Sequence, residues 1–385
     1  MHKYQNQSLQ YVSGKDESIF SKDALMGTKP GKQIIKQGLF KSQGFKQFNH
    51  YKEQAEKQFP DFAKRFTTDL LSEIKNDSSP ALTQQKFAEE IGSSEITLES
   101  SQIAQIKSKL ENFDVLHDRV LRILNSNFVK MTLPVFNALY DAASKHYGHD
   151  DPKLRESIID GHIIAIDLSE PMDRIVDKDE DLDYLDDYKL MNPYILKLAR
   201  EKISQGGEEI LEEFERGFKD ARIGQYLDVK LKSRPNQITE ENMNECYKKY
   251  RAVMGTAGRN MALGKNPLGE IFYLGMARAA ECVGCGNEIE DSIKNKFIKI
   301  PSWPLYYSLL LGDVKRGFDF TMQKSELYLS DARLALELLP ENFSHKSFLE
   351  FLFLTVEHYN QYWYNRLQKE NLWKEFQTNL PSVSK

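Results

Sequence analysis

Disulfide chemistry is nearly closed to this chain. Its 385 residues hold three cysteines, Cys246, Cys282 and Cys285, too few for a disulfide framework and suited to a reducing compartment. A cysteine metal site is no better supported: Cys282-x-x-Cys285 has no second pair, and no histidine lies between His162 and His345. These cysteines read as small buried helix residues. Proline is scarce, with 13 residues, which leaves room for long helices. No apolar run approaches the roughly 18 residues of a membrane helix, and Met1-His2-Lys3-Tyr4-Gln5 lacks the apolar core of a secretory signal. The chain therefore reads as soluble and intracellular, in the cytoplasm or an organelle such as a plastid. A net charge of −5 lacks the excess of one sign that general nucleic-acid affinity requires. Alternating strand patterns are almost missing too, the one candidate being Tyr226 to Leu231.

What is present is helical periodicity. Residues 1–60 are rich in Lys, Gln, Ser and Gly and read as a poorly packed extension. From Phe62 the apolar residues Phe62, Phe66, Leu70, Leu71 and Ile74 form one stripe, which the Ser78-Ser79-Pro80 break ends. Further helices are expected over 103–124, 133–147, 156–176 and 195–226, the last with a possible break at Gly206-Gly207. Thr239 has the position of a helix cap, and Pro267-Leu268-Gly269 opens the helix that carries Asn287. Two more aromatic-rich helical stretches cover 305–339 and 345–372. These expectations describe one all-α domain over 61–377, about ten helices around a common axis, with a tail at 378–385.

Two groups of polar residues carry chemistry. Asn287, Asp291 and Asn295 stand at i, i+4 and i+8, so on a helix their oxygens share one face. Such a row can hold a hard divalent cation that keeps positions for water and phosphate oxygens, and Lys294 beside it would meet the phosphate. Earlier in the chain, Asp173 and Asp177 lie one turn apart, with His162 and Ser169 near the same face and Glu170 at its edge. The acidic run that continues from Lys178 to Asp183 also reads as a solvated surface, and His162 also reads as a hydrogen-bonded core residue.

Together these residues resemble the class I terpene synthases of the isoprenoid synthase superfamily. Asn287 to Asn295 is similar to the family's second metal motif, with Asp291 where the family has Ser or Thr and Asn295 where it has an acid. Asp173 and Asp177 resemble the first aspartate-rich motif, with Arg174 in place of its second Asp. Arg251 and, four residues on, Gly255 match a diphosphate-contacting arginine and a residue whose carbonyl sits at a helix break; Arg259 is the substitute for the arginine. Arg366 with Tyr364 looks like the C-terminal Arg-Tyr pair. Gly224-Gln225 and Leu227-Asp228 are similar to a segment of the prenyl-chain-elongating synthases, but Glu281-Cys282-Val283-Gly284-Cys285 stands where those enzymes need a second aspartate-rich motif. Chain elongation is therefore not expected.

The resemblance spans about His117 to Leu367 and implies the class I isoprenoid synthase helical bundle. It further implies Mg²⁺ ions held with a diphosphate by Asp173, Asp177, Asn287, Asp291 and Asn295, and a clamp made of Arg251, Lys294 and Arg366. The implied reaction is ionisation of a short allylic prenyl diphosphate, geranyl favoured. Polar groups at His162, Ser169, Glu170 and Arg174 tilt the expectation toward capture of the cation by a polar acceptor such as an amino-acid nitrogen. The algal glutamate N-prenyltransferases of kainoid biosynthesis work in that way. Cyclisation to a mono- or sesquiterpene and a catalytically inactive binding homologue are the alternatives.

Overall fold

Helical periodicity holds through almost the whole chain. The structure, a computed structural model, describes residues 19, 21–36, 42–93, 96–124, 128–167, 170–177 and 184–380, and no β-strand forms among them. Nor is any described helix long and apolar enough to cross a membrane. The helices are α1 (Lys22–Met26), α2 (Lys29–Lys36), α3 (Gln43–Asn76), α4 (Pro80–Ile91), α5 (Ser100–Leu110), α6 (Phe113–Leu124), α7 (Phe128–Tyr147), α8 (Pro152–Asp167) and α9 (Glu170–Asp177). They continue with α10 (Leu185–Ser204), α11 (Glu208–Lys232), α12 (Glu240–Cys246), α13 (Lys248–Met261), α14 (Pro267–Asn295), α15 (Trp303–Leu311), α16 (Val314–Glu337), α17 (Lys346–Glu370) and α18 (Trp373–Thr378).

Contacts divide the chain into two compact units. Residues 50–137 and 149–212 form one, in which α10 packs against α4, α5, α8 and α9. Close approach of α8 to α10 depends on Gly161, where a Cβ would lie 2.6 Å from the Ile203 side chain. The other unit combines residues 1–49, 138–148 and 213–385. Its centre is α14, which packs against α13, α15, α16 and α17 and buries residues on every face, from Leu268 to Ile293. Asn266 caps α14 by accepting a hydrogen bond from Gly269 N at 2.8 Å, and Pro267 occupies the first turn, where its missing N–H is harmless.

Many expected boundaries recur: the break at Ser78-Ser79-Pro80, the Gly206-Gly207 break, the Thr239 cap and the Pro267 start. Two expectations are corrected. The unpacked extension over 1–60 is wrong in its described part, because Phe45, Phe48, Tyr51 and Ala55 recur at three- and four-residue spacings and are buried. Phe48 stacks on Phe348 with ring centroids 6.2 Å apart, and α3 runs straight through Pro60. The strand over Tyr226 to Leu231 is instead helical within α11, since buried Phe214, Gly217, Gly224, Asp228 and Leu231 keep the helical period. Of the expected helix over 156–176, residues 156–167 lie in α8 and 170–176 in α9, while 168–169 lie outside the described residues.

Packing of α14 against α17 yields a test. A Cβ on Gly286 would sit 2.0 Å from Asn360 Oδ1, and Asn360 is held by hydrogen bonds donated to Cys282 O (2.8 Å) and Ser325 Oγ (2.6 Å). Gly286→Ala should destabilise the protein by about 1 to 3 kcal/mol, the usual range for overpacking. A thermal melt unchanged from wild type would show that Asn360 yields freely.

Candidate functional site

The C-terminal end of α14 gathers charged groups that the middle of the helix could not hold. Asn287 donates its amide to Asp291 Oδ2 at 3.2 Å, and Asp291 accepts from Lys299 Nζ at 2.7 Å. Lys299 comes from the turn that follows the helix. Burial works against its charge, yet Tyr250 and Asp291 outweigh this and hold its ammonium above the usual lysine range. Glu288 is buried and accepts from Trp303 N at 3.0 Å. Burial pushes its carboxyl up to about 8, against the pull of Lys299 and the Trp303 N–H. Glu288 is therefore mostly uncharged at neutral pH.

Helix α11 reaches the same place. A Cβ on Gly224 would meet Cys246 O and Lys249 N at 2.9 Å, so only glycine lets α11 approach the start of α13 so closely. That approach sets Lys249 Nζ 3.1 Å from Gln225 Oε1 and 3.2 Å from Asp228 Oδ1. Lys249 and Lys299 both act on the Tyr250 phenol, which burial nevertheless raises above its ordinary range. On the α17 side, Lys294 pairs with Glu290, which also accepts from Tyr359. Lys294 lies 5.3 Å from the Trp363 ring centroid and Arg366 lies 5.1 Å from it, with Arg366 Nε bonded to Glu370 at 2.8 Å.

The structure brings together some of the expected residues and assigns others to different work. Asn287, Asp291 and Lys294 share the end of α14, and Lys294 and Arg366 both lie near the Trp363 ring; Asn295 is exposed at the last residue of the helix. Arg251 is tied to fully buried Glu281, with Nη2 at 2.6 Å and Nε at 2.9 Å, and Arg278 holds the other oxygen at 2.7 Å. Arg259 bridges Glu213 (2.8 Å) and Glu270 (2.6 Å). The helix break expected at Gly255 is corrected: α13 is continuous there, and a Cβ would meet the Tyr273 ring at 2.9 Å, so this glycine serves close packing on α14. Tyr364 donates to Asp319.

In the other unit, Glu170, Asp173, Arg174 and Asp177 lie on α9, with Asp173 and Asp177 one turn apart, while Ser169 lies outside the described residues. His162 is buried on α8, edge-on to Phe136 with centroids 6.1 Å apart, and burial pushes its imidazole down to about 3. It is a neutral core residue.

As they stand, the described oxygen donors do not fit a magnesium ion. Asp291 is already taken by an ammonium and an amide, and among the described residues no group of three or more His, Cys, Asp or Glu side chains could hold a metal. Lys249, Lys299, Glu288 and Tyr250 escaped the motif reading. Lys299 stands eight residues beyond Asp291, and Lys249 directly precedes Tyr250-Arg251, but neither spacing singles out a lysine before α11, α13 and α14 are assembled.

No protein-family model matches the chain, and no curated protein sequence matches it. Among solved structures it is similar to the geranylgeranyl pyrophosphate synthetase from the archaeon Geoglobus acetivorans, with a TM-score of 0.54 and 13% identity over 75% of this chain and 99% of that one. The chain has the all-α fold of the class I isoprenoid synthases.

Burial of His162 predicts acid sensitivity. Its folded value, about 3, lies below the ordinary 6.5, so between these pH values the unfolded chain binds the extra proton and stability is lost as pH falls. At about pH 5 the loss is about 2 kcal/mol. His162→Gln, which cannot titrate, should flatten the melting temperature between about pH 7 and pH 5 relative to wild type. Parallel melting curves for the two proteins across that range would refute the assignment.

Proposed function

We propose that this chain binds an allylic prenyl diphosphate at the C-terminal end of α14 and ionises it, the prenyl cation passing to a polar acceptor such as an amino-acid nitrogen. The observation that carries the reading is the pair Lys249 and Lys299, two ammonium groups that act on one Tyr250 phenol and are paired with Asp228 and Asp291. The fold supports it, being that of the class I isoprenoid synthases. Departing pyrophosphate must be neutralised where it forms, and cations already fixed in a partly buried site do this without reorganising. Its oxygens can take lysine hydrogens in exchange for the carboxylates, and Tyr250 can donate a further hydrogen bond. Glu288, mostly uncharged at neutral pH, adds little repulsion.

Lys294 of α14 and Arg366 of α17, both near the Trp363 ring, add two basic groups beside this helix end. Arg251 and Arg259 belong to internal ion pairs, so in this reading the lysines take over the clamp. Magnesium that arrives with the diphosphate would supply further charge neutralisation, but no step here depends on it. Transfer is favoured over cyclisation because Tyr250, Asn287 and Glu288 make the surroundings of the lysines polar, whereas a cyclising pocket needs an apolar and aromatic wall.

The deciding experiment incubates the full chain with dimethylallyl, geranyl or farnesyl diphosphate, with Mg²⁺ or with EDTA, and with or without millimolar amino acids. Pyrophosphate release together with a prenylated amino acid by mass spectrometry is the expected result. A hydrocarbon as sole product would replace transfer by cyclisation. Tight binding of a prenyl thiodiphosphate with no pyrophosphate release from the natural substrates would make the protein a binding homologue.

Lys249→Ala and Lys299→Ala should each weaken binding of the thiodiphosphate by about 10- to 100-fold, the range of a charge-assisted contact, and wild-type binding should persist in EDTA. Calorimetry that finds both variants at wild-type affinity would remove the lysines from the site.

A further inference from the structure

Helix α16 carries an apolar stripe on the side turned away from α14. Phe320, Leu327 and Leu334 recur every seven residues and Leu338 caps the helix, with exposures of 38%, 64%, 55% and 68%. At about 100° per residue these four lie within about 40° of one another around the helix. Tyr307 of α15 rests on Phe320 with centroids 5.6 Å apart, and Leu310, one turn further along α15, is also exposed. A line of leucines spaced in heptads on an open helix face has the form of a helix-pairing seam.

We propose that this seam pairs α16 with α16 of a second copy of the chain, antiparallel about a two-fold axis at Leu327. The apolar stripe is self-complementary in that arrangement. Leu327 meets its own copy, and Phe320 meets Leu334, since the two stand equally far on either side. Lys324 and Asp331 flank the stripe on the same side, so the two-fold axis brings Lys324 of each copy to Asp331 of the other, twice per dimer. A parallel pair would put the Lys324 and Asp331 of the two copies on opposite flanks of the seam and would not form these exchanged contacts. In the single chain Asp331 lies 3.3 Å from Arg278 and Lys324 lies 3.8 Å from exposed Glu240, contacts at the seam's edge that such a pair can extend. Four apolar side chains per copy fill only the centre of an ordinary interface. Association is therefore concentration-dependent.

Sedimentation velocity on the full chain from about 1 to about 300 μM tests this. The mass should rise from 44.6 kDa toward twice that value. Leu327→Arg, which opposes two guanidinium groups at the axis, should remain at 44.6 kDa throughout with an unchanged thermal melt, because the site is exposed. Leu327→Cys should form a disulfide-linked dimer under mild oxidation, whereas Leu82→Cys, exposed on α4, should not. A wild-type chain that stays monomeric at every concentration overturns the proposal, as does a dimer that survives Leu327→Arg or a Leu327→Cys protein that fails to cross-link.

Discussion

Burial of α14 on all sides is the constraint from which the candidate site follows. A helix without a solvent face satisfies its backbone internally, but every charged side chain on it needs a partner inside the protein, because an unpaired buried charge costs several kcal/mol. Along the middle of α14 the chain meets this with small residues, Gly275, Ala277, Ala279 and Gly284, and with one acid, Glu281, held by both Arg251 and Arg278. Gly284 lets the Tyr250 ring close onto the helix, where a Cβ would be 3.0 Å from it. Glu270 lies in the first turn with Arg259, and the remaining acids crowd into the last turns, where Lys294 of the same helix pairs with Glu290 and Lys299 from the following turn pairs with Asp291.

Pairing within the protein shapes what the site can receive. Asp228 with Lys249, Asp291 with Lys299 and Glu290 with Lys294 are each near neutral as pairs. A single added anion gains little from such pairs, since it only competes with a carboxylate already in place. A diphosphate differs in carrying several charges close together, so it can engage two ammonium groups at once. Such an exchange would favour a ligand with high charge density over a simple carboxylate, as the proposed binding of a diphosphate requires.

Fold class was legible because periodicity of three and four residues survives in almost every helix, and caps such as Thr239 and Pro267 mark their starts. The ends of the chain were harder. Phe45, Phe48 and Tyr51 are separated by the polar residues Lys46, Gln47, Asn49 and His50, so their stripe is thin by composition although it is buried in three dimensions. Within the site, the Asn287 to Lys294 face was readable from spacing alone. Lys249 was not, because its relation to Asp228 and Gln225 comes from a close crossing of helices permitted by Gly224, and spacing within one helix says nothing of crossings. For the same reason Arg251 and Arg259 resembled an anion clamp in one dimension and prove to be partners of Glu281, Glu213 and Glu270.

Why cations should collect here at all is answered by the helix itself. The last carbonyls of α14 have no partner within the helix, and its dipole places partial negative charge at this end. Lys294 in the last turn, Lys296 at the cap and Lys299 just beyond it are attracted by that field even before any ligand is present. A bundle that gathers ammonium groups by this means acquires an anion-binding surface from structural electrostatics alone. A shared fold assigns no chemistry, and metal-binding carboxylates at this position would need the opposite arrangement, free of competing lysines. In this chain Lys299 pairs with the Asp291 carboxylate and Asn287 contributes an uncharged amide, so under the proposed function charge neutralisation at the end of α14 would fall to bases that meet the anion directly.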